Sequence, residues 1–442
     1  MKEARENSAS DVPASSFGWM SEVSRYQWLV LLVAWMGWVF DSMDGTLFSL
    51  VQKPAITELL GPGANAASVG LFSSVIFCVQ LLGWAAGGIA FGVMADYLGR
   101  TRALAATILI YSLFTGLSAV AANWWQLALF RFITGLGLGG EWAAGAALVA
   151  EVWPNRLRAR AGAILQSAAA VGFFLAGLLS RFFSWRAVFV VGAIPAIFVL
   201  FIRMIVKEPE AWTAAREKRR AESVLSGKTA FTLRQLFSPL HRRDTVTASA
   251  LAFVALLALW GGTMWIPAAI REISAPEAAQ MSADAAQRFL AERAGNGVML
   301  LNVGSLFGYL LFSLLADRFG RRPAFLFYFI GGAIAFPATF LFSGGIGAVY
   351  LLLPVLGFFT LGVTSGFPIY LPELFPTHLR TTGVGFCYNL GRIVTAAGVF
   401  ITGALVGFFG SSAKAASAVS LIYLPGLLVL LVARETRGHK LV

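Results

Sequence analysis

An all-α membrane protein, with about twelve transmembrane helices in two pseudo-symmetric six-helix halves, is the fold that three observations predict. Of the 442 residues 58% are hydrophobic and only 13% charged, and the mean hydropathy is +0.74, more apolar surface than one soluble core could bury. About twelve apolar stretches reach the roughly 20 residues needed to cross a hydrocarbon core about 30 Å thick. A charged signature also appears twice. Asp96, Gly99 and Arg100, with Gly92 before and Arg102 after, return 221 positions later as Asp317, Gly320 and Arg321, beside Arg318 and Arg322. Glu151, Pro154 and Arg158 return 222 positions later as Glu373, Pro376 and Arg380. A duplicated membrane half is the simplest source of that repeat.

In order, the spans read as 28–50, 69–95, 103–122, 124–149, 161–181 and 187–206, then 246–270, 297–316, 323–342, 346–371, 382–408 and 415–432. The first carries Asp41 and Asp44 mid-helix, and the second and third flank the first copy of the signature. The fourth holds Arg131, Glu141 and the run Gly135, Gly137, Gly139, Gly140. Because that run lies inside a span and follows no strand, it reads as close helix packing rather than a dinucleotide loop. Residues 207–243 are charged, contain Pro209 and Pro239, and form the linker between a first half at 25–206 and a second at 244–434. Short tails at 1–24 and 435–442 complete the chain. Within the linker, Phe231, Leu233, Leu236 and Phe237 suit a short amphipathic helix at the bilayer interface, and 274–293 suits a small external helix.

On this topology 25 of the 34 Lys and Arg fall on the side holding both termini, 7 on the other and 2 inside helices. That bias predicts a multi-pass protein of the cell's inner membrane with both termini cytoplasmic. It also explains the net charge of +12 without nucleic acid. The polar, mixed-charge residues 1–24 do not resemble a cleavable signal, so the first helix is expected to remain. Cys78 and Cys387 lie in apolar spans with no C-x-x-C, which predicts neither disulfide nor metal site. His241, His378 and His439 sit at or beyond helix ends, and no nucleophile, base and oxyanion donors can be assembled. An enzyme is not expected, nor a cofactor.

Five charges interrupt the spans: Asp41, Asp44, Arg131, Glu141 and Arg392. Centring an ion in a bilayer costs at least about 2.5 kcal/mol, so each should face protein or water and have a partner. None is repeated in the other half. Paired halves are the usual build of a secondary transporter, and unrepeated charges are what a specialised site in a symmetric frame would show, although they also suit ion pairs that pin helices. At 1.5 Å per residue Asp44 lies roughly 7 Å outward of its helix centre and Arg131 roughly 9 Å outward of its own. The two are expected to pair, and loss of the partner would let the carboxylate take a proton. Glu141 reads either as a second proton site or as a buried structural carboxylate. Arg392, in Tyr388-Asn389-Leu390-Gly391-Arg392 at mid-span, either clasps a carboxylate substrate or pairs with an acid such as Glu141. Gln80 and Asn302, 222 positions apart, read as cavity polar groups or as interhelical glue. Trp260, Trp265, Phe367, Tyr370 and Tyr388 are aromatic candidates for a cavity wall.

Gly92-x-x-x-Asp96-x-x-Gly99-Arg100-x-Arg102 and Asp317-Arg318-x-Gly320-Arg321-Arg322 resemble the duplicated signature loop of the major facilitator superfamily, and the resemblance covers essentially the whole chain. Tyr97 departs from it where a basic residue is common, and Ser313 stands where the second copy would carry glycine. Phe40-Asp41-x-x-Asp44, the run from Arg131 to Trp142, and Tyr388-Asn389-x-Gly391-Arg392 are similar to proton symporters of organic acids, the sialate and aromatic-acid branches in particular. Ser42 departs from them where glycine is common. The resemblance implies a gate of Asp96, Arg100, Glu151, Arg158, Asp317, Arg321, Glu373 and Arg380. It also implies proton coupling by Asp41, Asp44 and Glu141, and substrate or pair contacts by Arg131 and Arg392, beside Tyr388, Asn389, Gln80 and Asn302. The expected activity is symport of a small organic anion with protons by a monomer. A sugar or polyol symporter, a drug exporter and a non-transporting sensor are the alternatives.

Overall fold

Most helices of the first half start where a polar side chain or a glycine permits it. The structure, a computed structural model, describes residues 18–438 apart from 196, 198–204, 227–231 and 343. Ser24 and Asn65 close capping boxes on α1 (Arg25–Leu60) and α2 (Ala66–Leu98), and Asn123 and Ser184 cap α4 (Trp124–Val152) and α6 (Trp185–Val191). Gly99, at φ 116°, turns the chain into α3 (Arg100–Ser118), and Gly320, at φ 111°, makes the same turn in the second half. Both occupy a region that a side chain disfavours. The fifth helix is α5 (Arg158–Phe182).

The linker holds α7 (Glu210–Ser226) and the single turn α8 (Thr232–Gln235). Beyond it the seventh span is broken: α9 (Arg242–Leu257) passes through a π-helical turn at Ala258–Gly262 into α10 (Ile266–Ala278). Then follow α11 (Ala283–Phe319) and α12 (Arg321–Phe340). The tenth span is broken as well, α13 (Ile346–Thr360) reaching α14 (Phe367–Leu374) through a 3₁₀ turn at Gly362–Gly366. Last come α15 (Arg380–Phe409), α16 (Ser412–Val419) and α17 (Tyr423–Val432). Among the described residues nine helical runs are long and apolar enough to cross a membrane. The remaining three of the twelve are α1, α15 and the sixth, of which α6 is a described part.

Small residues set how closely the helices approach. A Cβ on Gly139 would overlap the Trp84 carbonyl oxygen, so α4 and α2 touch backbone to backbone. Across the halves α2 packs on α15 and α5 on α11, while α14 meets α4 and α5. These contacts draw the halves together on the side that carries both chain ends, called here the terminal side.

Two expectations are corrected. No separate helix forms at 274–293, because α10 and α11 simply run on past the membrane as an α-hairpin clamped by Arg293 and Glu277 at 2.8 Å. In the linker Leu236 is buried, and the Thr232 hydroxyl lies 3.1 Å from that of Thr382 at the start of α15, so this stretch docks on the helix bundle rather than lying at the bilayer interface. Phe231 lies outside the described residues, as do His439 and most of the N-terminal tail.

Candidate substrate cleft and gate

Between the halves lies a cleft with about 530 Å³ of empty space, counting its open part. One face of α1 lines it with Trp38, Ser42, Gly45 and Thr46, joined by Trp84 of α2 and Gln166 of α5. The second half contributes Trp260, Tyr309, Thr364, Tyr388 and Arg392. The two helix breaks supply Trp260 and Thr364, which places irregular backbone where it borders a cavity. Gln166 Nε2 donates to Thr364 Oγ1 at 3.2 Å and so bridges the halves within the cleft.

Arg392 is the charge in this wall. Its guanidinium lies 4.2 Å over the Trp84 ring and 5.2 Å from that of Tyr388, and Nη1 donates to Asn389 Oδ1 at 2.8 Å. Its Nε is buried with no acceptor, and among the described residues it makes no ion pair with a carboxylate. Tyr388 in turn stacks on Trp142, centroids 4.0 Å apart. Asn389 orients the arginine from outside the cleft lining, and it fits only because Gly88 of α2 faces it without a side chain.

Asp44 and Arg131 pair as their depths predict, Nη1 lying 3.4 Å from both carboxylate oxygens. Thr115 donates to Asp44 at 2.8 Å, and Arg131 also bonds Ser118, Thr115 and Thr134 and lies 4.7 Å over Phe189. This group is buried within the first half, behind α1, and does not line the cleft. Asp41 and Glu141 are buried near it, Asp41 without a hydrogen-bond partner among the described residues and Glu141 beside the Tyr111 hydroxyl of α3. Neither Gln80 nor Asn302 reaches the cleft: Asn302 Nδ2 bonds back to Val298 of its own helix, and Gln80 is buried in its half. Of the aromatic candidates, Trp260 and Tyr388 line the cleft and Trp265, Phe367 and Tyr370 do not.

All eight gate residues meet on the terminal side. Arg100 grips Glu151 with Nε and Nη2 at 3.0 and 2.9 Å, while Nη1 lies 3.0 Å from Asp96. Glu151 also accepts from Arg380 of the other half at 2.7 Å, and Asp96 accepts the backbone N–H groups of Thr381 and Thr382 at the start of α15. The second copy repeats the local part: Arg321 grips Glu373 at 3.0 and 2.7 Å, with Asp317 at 3.4 Å. Its link across the halves is longer, Arg158 to Glu373 at 3.8 Å.

Both departures from the signature have a physical setting. Over the Tyr97 ring lies the Arg219 guanidinium, 5.1 Å away on α7, which also donates to the Asp96 carbonyl at 2.9 Å, so the linker brings a cation to this corner. Ser313 bonds back to Leu310, whereas a Cβ on its counterpart Gly92 would come within 2.8 Å of the Thr381 carbonyl. Only the first copy presses this closely on the opposite half.

Glu208 and Glu435 were missed. Glu208 accepts from the N–H groups of Thr101 and Arg102, both at 3.2 Å, and Glu435 from those of Arg321 and Arg322 at 2.9 and 3.0 Å. Each thereby caps the helix that follows a gate glycine. They form a second duplicated signal, 227 positions apart rather than 222. Burial acts to raise the pKa of Glu435, but hydrogen bonds from the backbone of Arg321, Arg322, Arg437 and Thr436 outweigh it and hold the group below the ordinary glutamate range. A depressed folded-state pKa stabilises above the unfolded-state value and is lost as pH falls through the folded one. Glu435→Gln is therefore expected to cost about 0.5–2 kcal/mol at neutral pH. Paired thermal melts should show the gap from wild type closing in acid.

Duplicated helical halves, a cleft between them and a closed ring of charges at one end define a secondary transporter. The chain belongs to the Major Facilitator Superfamily, whose model matches residues 28–286. A model described as Sugar (and other) transporter matches residues 245–341. A probable 4-methylmuconolactone transporter of Cupriavidus pinatubonensis is 30% identical over 431 residues, 96% of this chain and 94% of the relative. The sialic acid transporter NanX of Escherichia coli is 28% identical over 431 residues, 95% of this chain and 97% of the relative. A solved structure of the proton:xylose symporter XylE bound to 6-bromo-6-deoxy-D-glucose shares the fold. Its TM-score is 0.73 at 17% identity, covering 94% of this chain and 98% of that one.

Proposed function

We propose that this chain is a proton-coupled symporter of small organic carboxylates, working as a monomer by alternating access in the cell's inner membrane with both termini cytoplasmic. The observation that carries the reading is Arg392, a buried guanidinium on the cleft wall with an unused donor and no carboxylate partner among the described residues. A guanidinium with an unused donor on the cleft wall can fork onto a carboxylate arriving from solution as substrate. The aromatic wall of Trp38, Trp84 and Tyr388 suits the body of a small organic acid. The relatives named for 4-methylmuconolactone and sialic acid support the same class.

In this cycle the closed terminal-side gate of Asp96, Arg100, Glu151, Arg158, Asp317, Arg321, Glu373 and Arg380 holds the cytoplasmic end shut while the cleft loads. The halves then rock, and the gate opens to release substrate inward. The proton coupling lies among the buried acids Asp41, Asp44 and Glu141. A sugar or polyol substrate is the second reading, favoured by the match of residues 245–341 and by the uncharged polar groups of Gln166 and Thr364 in the cleft. Purified protein in liposomes separates them. Under an imposed inside-alkaline pH gradient, labelled carboxylates should accumulate above equilibrium and unlabelled xylose should not compete. Competition by xylose with indifference to carboxylates would select the sugar reading.

A further inference from the structure

Asp44 is fully provided for, with Arg131 against both oxygens and Thr115 donating to it. Asp41, three residues earlier on α1, and Glu141, on α4, are equally buried, yet neither Asp41 oxygen has a hydrogen-bond partner among the described residues and Glu141 meets only the Tyr111 hydroxyl. The two groups are neighbours. Glu141 Oε1 occupies the space that a Cβ on Gly37 would fill, and Gly37 precedes Asp41 by one turn of α1. The buried hydroxyl of Tyr111, on α3, faces Glu141. Arg392 and Tyr388 face Asp41 from α15, and Asp44 is the remaining charged neighbour, on α1 itself. On the opposite side of Asp41 in sequence is Ser42, which lines the cleft.

Two buried carboxylates thus sit together, and one of them, Asp41, faces the Arg392 guanidinium. While Arg392 is empty its charge offsets one of them. When a substrate carboxylate occupies Arg392 that offset is lost, and two ionised carboxyl groups side by side in a dry interior are too costly to persist. One proton resolves the conflict, bridging the pair as a carboxylic acid hydrogen-bonded to a carboxylate. The local net charge is then the same with and without cargo.

We propose that Asp41 and Glu141 form a single shared proton site, separate from the Asp44 and Arg131 pair, that gains one proton when a substrate carboxylate occupies Arg392 and loses it when the carboxylate leaves. The site rests on the symport reading above. It assigns one proton to each monovalent anion, so transport of such an anion is electroneutral, and it leaves Asp44 ionised throughout as a structural tie of the first half. Replacing either member by its amide removes the like-charge conflict. In Glu141→Gln the remaining Asp41 then simply faces Arg392.

The test uses the full-length protein in liposomes with labelled benzoate, cis,cis-muconate and N-acetylneuraminate as probes. Wild type should accumulate at least one of them about tenfold per imposed pH unit when one proton accompanies one charge, with no response of a monocarboxylate to membrane potential. If wild type accumulates none, the symport reading fails and the shared site falls with it. Glu141→Gln should still exchange labelled for unlabelled probe while its accumulation ratio drops to about one. If that variant does not fold, Asp41→Asn carries the same expectation. Should both variants accumulate like wild type, or should coupling vanish only in Asp44→Asn, the shared site is wrong even though symport stands.

Discussion

Arg392→Gln is expected to remove substrate binding almost entirely while leaving the protein folded. The guanidinium contacts the Trp84 and Tyr388 rings and one side-chain oxygen, that of Asn389, so its loss breaks no ion pair among the described residues. What disappears is the charge-assisted grip on a carboxylate. Truncating one member of a buried, hydrogen-bonded charge pair costs about 2–5 kcal/mol, a weakening of roughly 30-fold to several thousand-fold. Arg392→Lys should recover little, because an ammonium neither forks onto a carboxylate nor stacks on Trp84 in the same way. Thermal-shift titration with the carboxylate that wild type binds best measures the effect directly. Unchanged affinity in Arg392→Gln would remove the arginine from the site and with it the reason for expecting an anion.

That expectation was partly legible in the sequence, and the part that was legible has a common cause. Burying an ion in a membrane is expensive enough that each intramembrane charge had to matter, and depth along a helix follows from residue count. Asp44 and Arg131 could therefore be matched without coordinates. Gln80 and Asn302 were singled out on other grounds, their equivalent repeat positions, and of their two readings, cavity group or interhelical glue, the first is not met because neither lines the cleft. Equivalence marks the duplicated scaffold, where identical helix packing recurs, whereas the cleft is built from residues that differ between halves, such as Trp84 and Arg392. Rotation about each helix axis was the missing information. Trp38, Ser42, Gly45 and Thr46 form one stripe at helical spacing on α1, so the cleft face was present in the sequence as periodicity, but Asp41 and Asp44 drew attention to the neighbouring face. Glu208 and Glu435 escaped because their offset differs by five from that of the gate, and Arg219 because it reaches Tyr97 from more than a hundred residues away.

Glu151→Gln is expected to open the terminal side, and to do so more than Glu373→Gln, although the two glutamates are repeat equivalents. Glu151 is a fully buried anion between guanidinium groups from opposite halves, Arg100 at 2.9 Å and Arg380 at 2.7 Å. An amide there takes from both arginines the carboxylate they share across the interface, leaving Arg100 its bond to Asp96. Breaking a buried ion pair by removing one partner costs about 3–5 kcal/mol, and this penalty falls only on the closed state, since separated halves let the arginines reach water. The ratio of closed to open forms should drop by roughly 10² or more. Glu373, by contrast, is held at 2.7 Å by Arg321 of its own half, and its contact across the interface is 3.8 Å, so its local bonds survive opening. The same inequality separates Asp96, which caps α15 from across the interface, from Asp317, which is partly exposed and among the described residues caps no helix of the other half. Spin labels on the exposed positions Arg102 and Arg318, one in each half, report the separation of the terminal-side ends. Wild type without substrate should give mainly the short distance and Glu151→Gln mainly a longer one, with Glu373→Gln between them. Glu58→Gln, which breaks an ion pair about half exposed on the opposite side, should leave the distances as in wild type. If the two gate glutamates behave alike, the gate is symmetric in energy despite its geometry. If neither variant moves the labels, these bridges do not hold the terminal side closed.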